Sequence, residues 1–243
     1  MRKVFLSILE NEKVAKDTYV MRLVGDAGDT LYPGQFINLA LDGFYLRRPF
    51  AVCDYDNKVL TIIYKTVGKG TLQMSRLGKG VMMDALTGLG NGFDQSVSGQ
   101  TPLLIGGGSG IPPLYYLAKQ LRADMKNVKV LLGFNSDDEI FLADDFADIG
   151  CNVTVRTIDG SFGYKGYVTD GMDMMLYSYF YACGPDRMLR AVYDKTDTDG
   201  QLSFEARMGC GFGGCMGCSC ETKYGTKRIC KDGPVLTKEE VIW

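Results

Sequence analysis

The 243-residue chain carries 27 basic and 29 acidic residues without a long basic block, a formal net charge of −2, so nucleic acid is not an expected partner. Hydrophobic residues make up 46% and aromatics 11%, enough for two globular domains and a short appendage. Histidine is absent, which excludes a Ser–His–Asp triad, a histidine-based zinc hydrolase and an iron–sulfur centre with imidazole ligands; bound cofactors are expected to carry the chemistry.

The amino terminus, MRKVFLSILENE, has only a short apolar stretch before Glu10 and Glu12. Neither a signal peptide nor a membrane span fits it, and a cytoplasmic protein is expected. Short β-rich runs follow up to about Ser98: VFLSIL, TYVMRLV, QFINLAL, RPFAV and VLTIIYK, separated by Gly, Asp and Pro. In the third run Phe36, Asn38 and Ala40 fall on one face and Ile37, Leu39 and Leu41 on the other. Strands this closely spaced predict an antiparallel barrel over residues 1–98.

Two signals inside that region suit a phosphate-bearing cofactor. Arg48-Pro49-Phe50-Ala51 offers a guanidinium able to clamp a pyrophosphate, and Gly68-Lys69-Gly70-Thr71 offers glycine N–H groups before a short helix-like run. Each has a plainer reading, as a surface arginine or an ordinary glycine turn. Their conjunction points to a flavin.

After Thr101 strands alternate with helices, the signature of a parallel sheet with crossover helices, expected over residues 99–206. The apolar Leu103-Leu104-Ile105 turns through Gly106-Gly107-Gly108-Ser109-Gly110 into Ile111-Pro112-Pro113 and a helix. Proline suits the first helical turn, and the glycines let a dinucleotide approach the helix start. The dinucleotide fingerprint G-x-G-x-x-G is not matched, because Ile111 takes its third glycine position. Ala182-Cys183-Gly184-Pro185-Asp186 ends a later strand and begins another helix, so two such turns are expected to share one site. The turn after VKVLLGF holds Asn135, Ser136, Asp137, Asp138 and Glu139 with no Arg or Lys, which favours NADH over NADPH.

Five of the eight cysteines crowd into positions 210 to 230. Cys210, Cys215, Cys218 and Cys230 stand as C-x4-C-x2-C-x11-C, the first three at the spacing of plant-type [2Fe–2S] ferredoxins. Gly209, Gly211, Gly213, Gly214 and Gly217 surround them, as a loop wrapped round a cluster requires. A structural zinc site, a redox dithiol and a disulfide knot are the alternatives; spacing and glycine density fit the cluster better than a zinc knuckle. Cys220 is a fifth candidate ligand, whereas Cys53, Cys151 and Cys183 read as buried thiols. Residues 207–243 are too few for a core of their own and are expected to fold around their ligand.

Taken together, RPFA, GKGT, GGGSGIPP, CGP and the cysteine segment resemble the ferredoxin–NADP+ reductase superfamily over nearly the whole chain. With GSFGYKG at 160–166, FEARMGCG at 204–211 and RICKDGPV at 228–235, the chain looks most like the electron-transfer subunits of NAD-linked, B-type dihydroorotate dehydrogenases of pyrimidine biosynthesis. The resemblance implies FAD held by Arg48, Pro49, Phe50, Ala51, Ile63, Tyr64, Lys65, Gly70 and Thr71, and a [2Fe–2S] cluster on Cys210, Cys215, Cys218 and Cys230. It implies NAD(H) between Gly107, Gly108, Ser109 and Gly110 on one side and Cys183, Gly184 and Pro185 on the other, with hydride transfer carried by the cofactors. An FMN-containing catalytic subunit, in a heterotetramer, is the partner it implies. Ala51 departs from the Ser or Thr that relatives often carry. A small subunit of an NADH-dependent ferredoxin–NADP+ or sulfide oxidoreductase shares these motifs, and a zinc-stabilised nucleotide-binding regulatory module is the alternative from another class.

Overall fold

The computed structural model describes residues 1–28 and 31–243. Its first sheet is antiparallel and contains β1 (Arg2–Ala15), β2 (Thr18–Val24), β3 (Phe36–Leu39), β4 (Arg48–Ala51), β5 (Asp54–Asp56), β6 (Val59–Lys65) and β7 (Met82–Leu89), in the order β4-β3-β7-β1-β2-β6-β5. The sheet curls until β4 approaches β6. Period-two alternation sends Leu6, Ile8, Leu23, Ile37, Leu39, Leu60, Ile62 and Met83 into one core, joined by Met74 of the short helix α1 (Lys69–Met74). Phe36 and Asn38 consequently face away from that core, and Phe36 packs with Leu103 and Ile105 of the second sheet.

Two features of this sheet were not evident in the composition of the runs. Strand β7 carries Asp84, Thr87 and Gly88, which break its hydrophobic signal, although Met83, Ala85 and Leu89 still alternate inward. Strand β1 continues through the charged ENEK stretch because its outer half is solvent-facing and pairs with β2 as far as Ala15.

The second sheet runs β11 (Tyr164–Lys165), β10 (Asn152–Thr157), β9 (Lys129–Phe134), β8 (Pro102–Gly107), β12 (Tyr179–Cys183), β13 (Gly200–Ser203) and β16 (Val235–Thr237). All pairings are parallel except that of β16 with β13. Helices cover both faces, which is why β8 and β12 are buried at every residue. On one face α2 (Ile111–Ala123) and α3 (Ala143–Asp148) bring Leu114, Leu117, Leu121 and Phe146 against Leu104, Val130 and Leu132. On the other, α4 (Asp186–Lys195) brings Leu189 and Val192 against Leu103, Ile105 and Leu131.

The cysteine segment packs on the α4 side. Cys218, Ile229 and Cys230 share a core with Leu103, Phe180 and Leu236, and a hairpin of β14 (Ser219–Thr222) and β15 (Gly225–Arg228) projects from it. Because β16 then joins the nucleotide sheet, both ends of the segment are tied to β13. Among the described residues no helix is long and apolar enough to cross a membrane.

Candidate functional site

Strands β8 and β12 are neighbours, yet the chain leaves β8 toward β9 on one side and β12 toward β13 on the other. The loops at their carboxyl ends therefore flank the crevice where open α/β sheets take ligands. Their glycines are required by contact. A Cβ on Gly110 would lie 2.2 Å from the Cys183 carbonyl oxygen, and one on Gly107 would lie 2.5 Å from Met188 Sδ. Gly107–Gly110 and Cys183–Pro185 thus meet, as expected from the sequence.

Between the barrel and this crevice lies a cleft of about 460 Å³, lined by Arg48, Pro49, Phe50 and Ala51 of β4, by Ile63, Tyr64 and Lys65 of β6, and by Thr71, Ser109 and Cys183. The Arg48 guanidinium sits over the Phe44 ring at 4.7 Å and beside Gly70. The Thr71 hydroxyl accepts the backbone N–H groups of Val67 (2.9 Å) and Gly68 (3.2 Å) and so fixes the turn. The Tyr64 hydroxyl donates to Asn11 Oδ1 at 2.9 Å, and burial pushes its pKa up to about 12, so it stays neutral. Ala51 offers no hydroxyl in this cleft. A long crevice with apolar walls and one guanidinium fits a flavin dinucleotide.

A second cleft, about 620 Å³, opens beside the first and is lined by Gly107, Gly108, Ser109, Phe134, Asn135, Glu139, Pro185 and Arg187. Lys65 and Ser109 line both clefts. The acidic turn holds no cation of its own, and cations reach this cleft from elsewhere, Lys65 from the barrel and Arg187 from α4. Lys16 pairs with Asp138 at 2.9 Å and Lys65 with Glu139 at 3.3 Å. Two of the three carboxylates are thus paired with residues distant in sequence.

Cys183 is buried in the wall of the first cleft, and burial, reinforced by the nearby Glu205 carboxylate, pushes its thiol up to about 12. It is a neutral wall and no nucleophile. Glu205, which sequence reasoning missed as a site residue, accepts a hydrogen bond from the Ser109 hydroxyl at 3.0 Å and lines the flavin cleft. Its signal was positional: an acidic side chain just past the carboxyl end of β13, at the ligand-binding edge of the sheet.

From Glu205 the chain runs directly to the thiols, which stand as two pairs. Cys210 contacts Cys215, whose N–H lies 3.4 Å from Cys210 Sγ, and Cys230 contacts Cys218, with the Cys230 N–H 3.4 Å from Cys218 Sγ. Burial opposes ionisation of Cys210, but N–H groups of Phe212, Cys215 and Gly214 overcome it and draw its pKa down to about 6. Arg228 joins the two limbs, donating to the Gly213 carbonyl at 2.9 Å and to Asp232 at 3.0 Å. A Cβ on Gly209 would stand 3.2 Å from Cys215 Sγ, so the glycines clear space around sulfur. Two pairs suit a two-iron group, which takes two thiolates per iron, better than one tetrahedral zinc. Cys220 is turned into β14, half-buried. Cys53 and Cys151 are buried, as expected.

A flavin-type barrel, a nucleotide sheet and a four-thiolate loop define an oxidoreductase of the ferredoxin–NADP+ reductase fold with an appended iron–sulfur segment. Known proteins agree. The model of the iron–sulfur cluster binding domain of dihydroorotate dehydrogenase B matches residues 205–242, and that of the oxidoreductase NAD-binding domain matches 104–194. The chain is 41% identical to the dihydroorotate dehydrogenase B (NAD(+)) electron transfer subunit of Fusobacterium nucleatum, covering 97% of this chain and 96% of that one. It is 39% identical to the protein of the same description from Bacillus pumilus, covering 99% and 98%. A chain in the structure of NADH-dependent reduced ferredoxin-NADP oxidoreductase superposes with a TM-score of 0.89 at 30% identity, over 99% of this chain and 90% of that one. This chain belongs to the family of dihydroorotate dehydrogenase B electron transfer subunits.

Proposed function

We propose that the chain moves electrons between NAD(H) and the catalytic subunit of a dihydroorotate dehydrogenase, by way of FAD and a [2Fe–2S] cluster. The observation that carries this reading is continuity: Ser109 of the nucleotide loop bonds Glu205, Glu205 lines the flavin cleft, and the chain leading from it reaches Cys210. FAD when bound exchanges a hydride with the nicotinamide and single electrons with the cluster, the conversion this pairing of cofactors supplies.

The protein's part is binding and orientation. Arg48 would neutralise the FAD pyrophosphate, with Pro49, Phe50, Ala51, Ile63, Tyr64 and Lys65 along the ring system, and Gly70 and Thr71 shaping the phosphate turn. Gly107, Gly108, Ser109 and Gly110 with Cys183, Gly184 and Pro185 would hold the dinucleotide so that its nicotinamide meets the flavin in the shared part of the clefts. Lys65, standing in both clefts, would give up Glu139 to an entering diphosphate. Cys210, Cys215, Cys218 and Cys230 would ligate iron. We assign 1–98 to flavin binding, 99–206 to the nucleotide and 207–243 to the cluster.

Cys215 is exposed while Cys218 and Cys230 are buried, and the apolar Phe212 and Met216 are exposed beside it. That edge is where electrons would leave and where an FMN-bearing catalytic subunit would dock in a heterotetramer. The test is composition and partner. The chain purified without oxygen is expected to hold about two irons and two sulfides per FAD and to co-purify with a dihydroorotate-oxidising subunit. A colourless zinc protein would overturn the cofactor reading. Recovery of a large ferredoxin-NADP oxidoreductase subunit would favour the second reading, which rests on the 0.89 structural match.

A further inference from the structure

Asn38 is buried, 1% exposed, on the face of β3 that looks away from the barrel core, and neither cleft uses it. It stands opposite Pro49 of β4, the strand that carries Arg48. Arg47 holds its backbone carbonyl at 3.4 Å and is itself anchored to Asp84 at 2.9 Å. Its side chain crosses to the cysteine segment, where Nδ2 donates to the backbone carbonyl of Cys210 at 3.2 Å.

The neighbouring residue is shaped for this contact. Gly211 has φ +77, and a Cβ there would lie 2.2 Å from Asn38 Nδ2, so only glycine admits the amide. The amide's orientation is fixed, because the flipped form would oppose two oxygens. Oδ1 is then left buried with no hydrogen-bond partner among the described residues. An unpaired buried oxygen is destabilising, and leucine would fill similar space without it. Asparagine therefore does something at this position that packing alone does not need.

We infer that Asn38 is a positioning residue for electron transfer, fixing Cys210 against the flavin strand β4 and raising the reduction potential of the group the thiolates hold. The inference rests on the ligand reading of Cys210 given above. Two physical effects follow from the one hydrogen bond. Electron exchange falls steeply with distance, and Asn38 sets the spacing between β4 and the first cysteine. A donor at the Cys210 carbonyl also draws electron density away from the peptide beside the thiolate, favouring the more negative, reduced state.

The experiment uses the full chain loaded with FAD and iron, comparing wild type with Asn38→Leu. Redox titration followed by electron paramagnetic resonance gives the cluster midpoint, and rapid freezing after NADH addition gives the rate of cluster reduction. Asn38→Leu is expected to keep full FAD and iron and to reduce FAD normally, yet to show a more negative midpoint and cluster reduction slower by about tenfold. Gly211→Ala is expected to displace the amide and shift the midpoint in the same direction, and to do so much less in an Asn38→Ala background. If Asn38→Leu loads iron poorly, Asn38→Thr is read by the same two measurements. An unchanged midpoint and rate in a fully loaded variant would overturn the inference, whereas a wild-type chain without iron would overturn the ligand reading instead.

Discussion

A Cβ on Gly70 would stand 3.2 Å from Nε of Arg48, so the arginine of RPFA and the glycine turn of GKGT meet beside the first cleft. Arg48→Ala removes the guanidinium, and Gly70→Val displaces it while leaving its charge. Both variants are expected to weaken FAD binding by about tenfold or more, on the scale of a charge-assisted pair. Fluorescence of released FAD on dilution measures this, and wild-type retention in both variants would remove Arg48 from the site.

Each of Cys210→Ser, Cys215→Ser, Cys218→Ser and Cys230→Ser is expected to lose the cluster, because removing one thiolate leaves an iron short of a ligand. Cys220→Ser is expected to keep it, since Cys220 belongs to β14 and stands outside both thiol pairs. Iron and sulfide analysis decides. Loss of iron from Cys220→Ser with retention in Cys230→Ser would reverse the assignment.

The Glu205 carboxylate accepts from the Ser109 hydroxyl and lines the first cleft, where it would stabilise the positive charge of an oxidised nicotinamide bound as proposed above. Glu205→Gln keeps the acceptor for Ser109 and removes the charge. Reduction of FAD by NADH is expected to slow by about 100-fold, the scale of losing one electrostatic group in an active site, with NADH affinity little changed. Stopped-flow bleaching of the flavin gives both quantities, and a wild-type rate would contradict the role.

Much of the architecture was legible because it follows from local rules. The alternation in QFINLAL separates Ile37 and Leu39 from Phe36, and the structure buries them in different cores. The glycines of GGGSG and CGP announced close approach, and Gly110 against Cys183 shows why. What escaped is non-local. Lys16 and Lys65 of the barrel pair with Asp138 and Glu139 of the turn after β9, pairings no window of sequence contains. Glu205 and Asn38 acquire meaning only from the Ser109 hydroxyl and the Cys210 carbonyl that folding brings to them. Strand β7 was hidden because Asp84 and Thr87 interrupt it, one of them tied to Arg47.

The absence of histidine and the burial of thiols set the pH response. Burial pushes Cys183 up to about 12 and raises Cys53 as well, whereas an unfolded thiol titrates near about 8.5. Below that pH both states hold these protons and stability is indifferent to them. Above it the unfolded chain releases them first, so stability falls as pH rises, by at most about 1.4 kcal/mol per unit for each thiol. Cys210, drawn down to about 6, acts the opposite way, so thermal melts of the chain without its cluster are expected to rise between about pH 6 and 8 and to drop above about 9. A melting temperature that rises across the alkaline range would contradict this.

The central claim is that the chain relays electrons and leaves dihydroorotate chemistry to a partner. Assaying orotate formation by the isolated, fully loaded chain, and again after adding the catalytic subunit with NAD+, tests it most directly. The account predicts that the isolated chain reduces dyes with NADH but forms no orotate, and that the mixture couples dihydroorotate oxidation to NADH production. Orotate formed by the isolated chain, or a mixture that oxidises dihydroorotate without ever reducing NAD+, would contradict it.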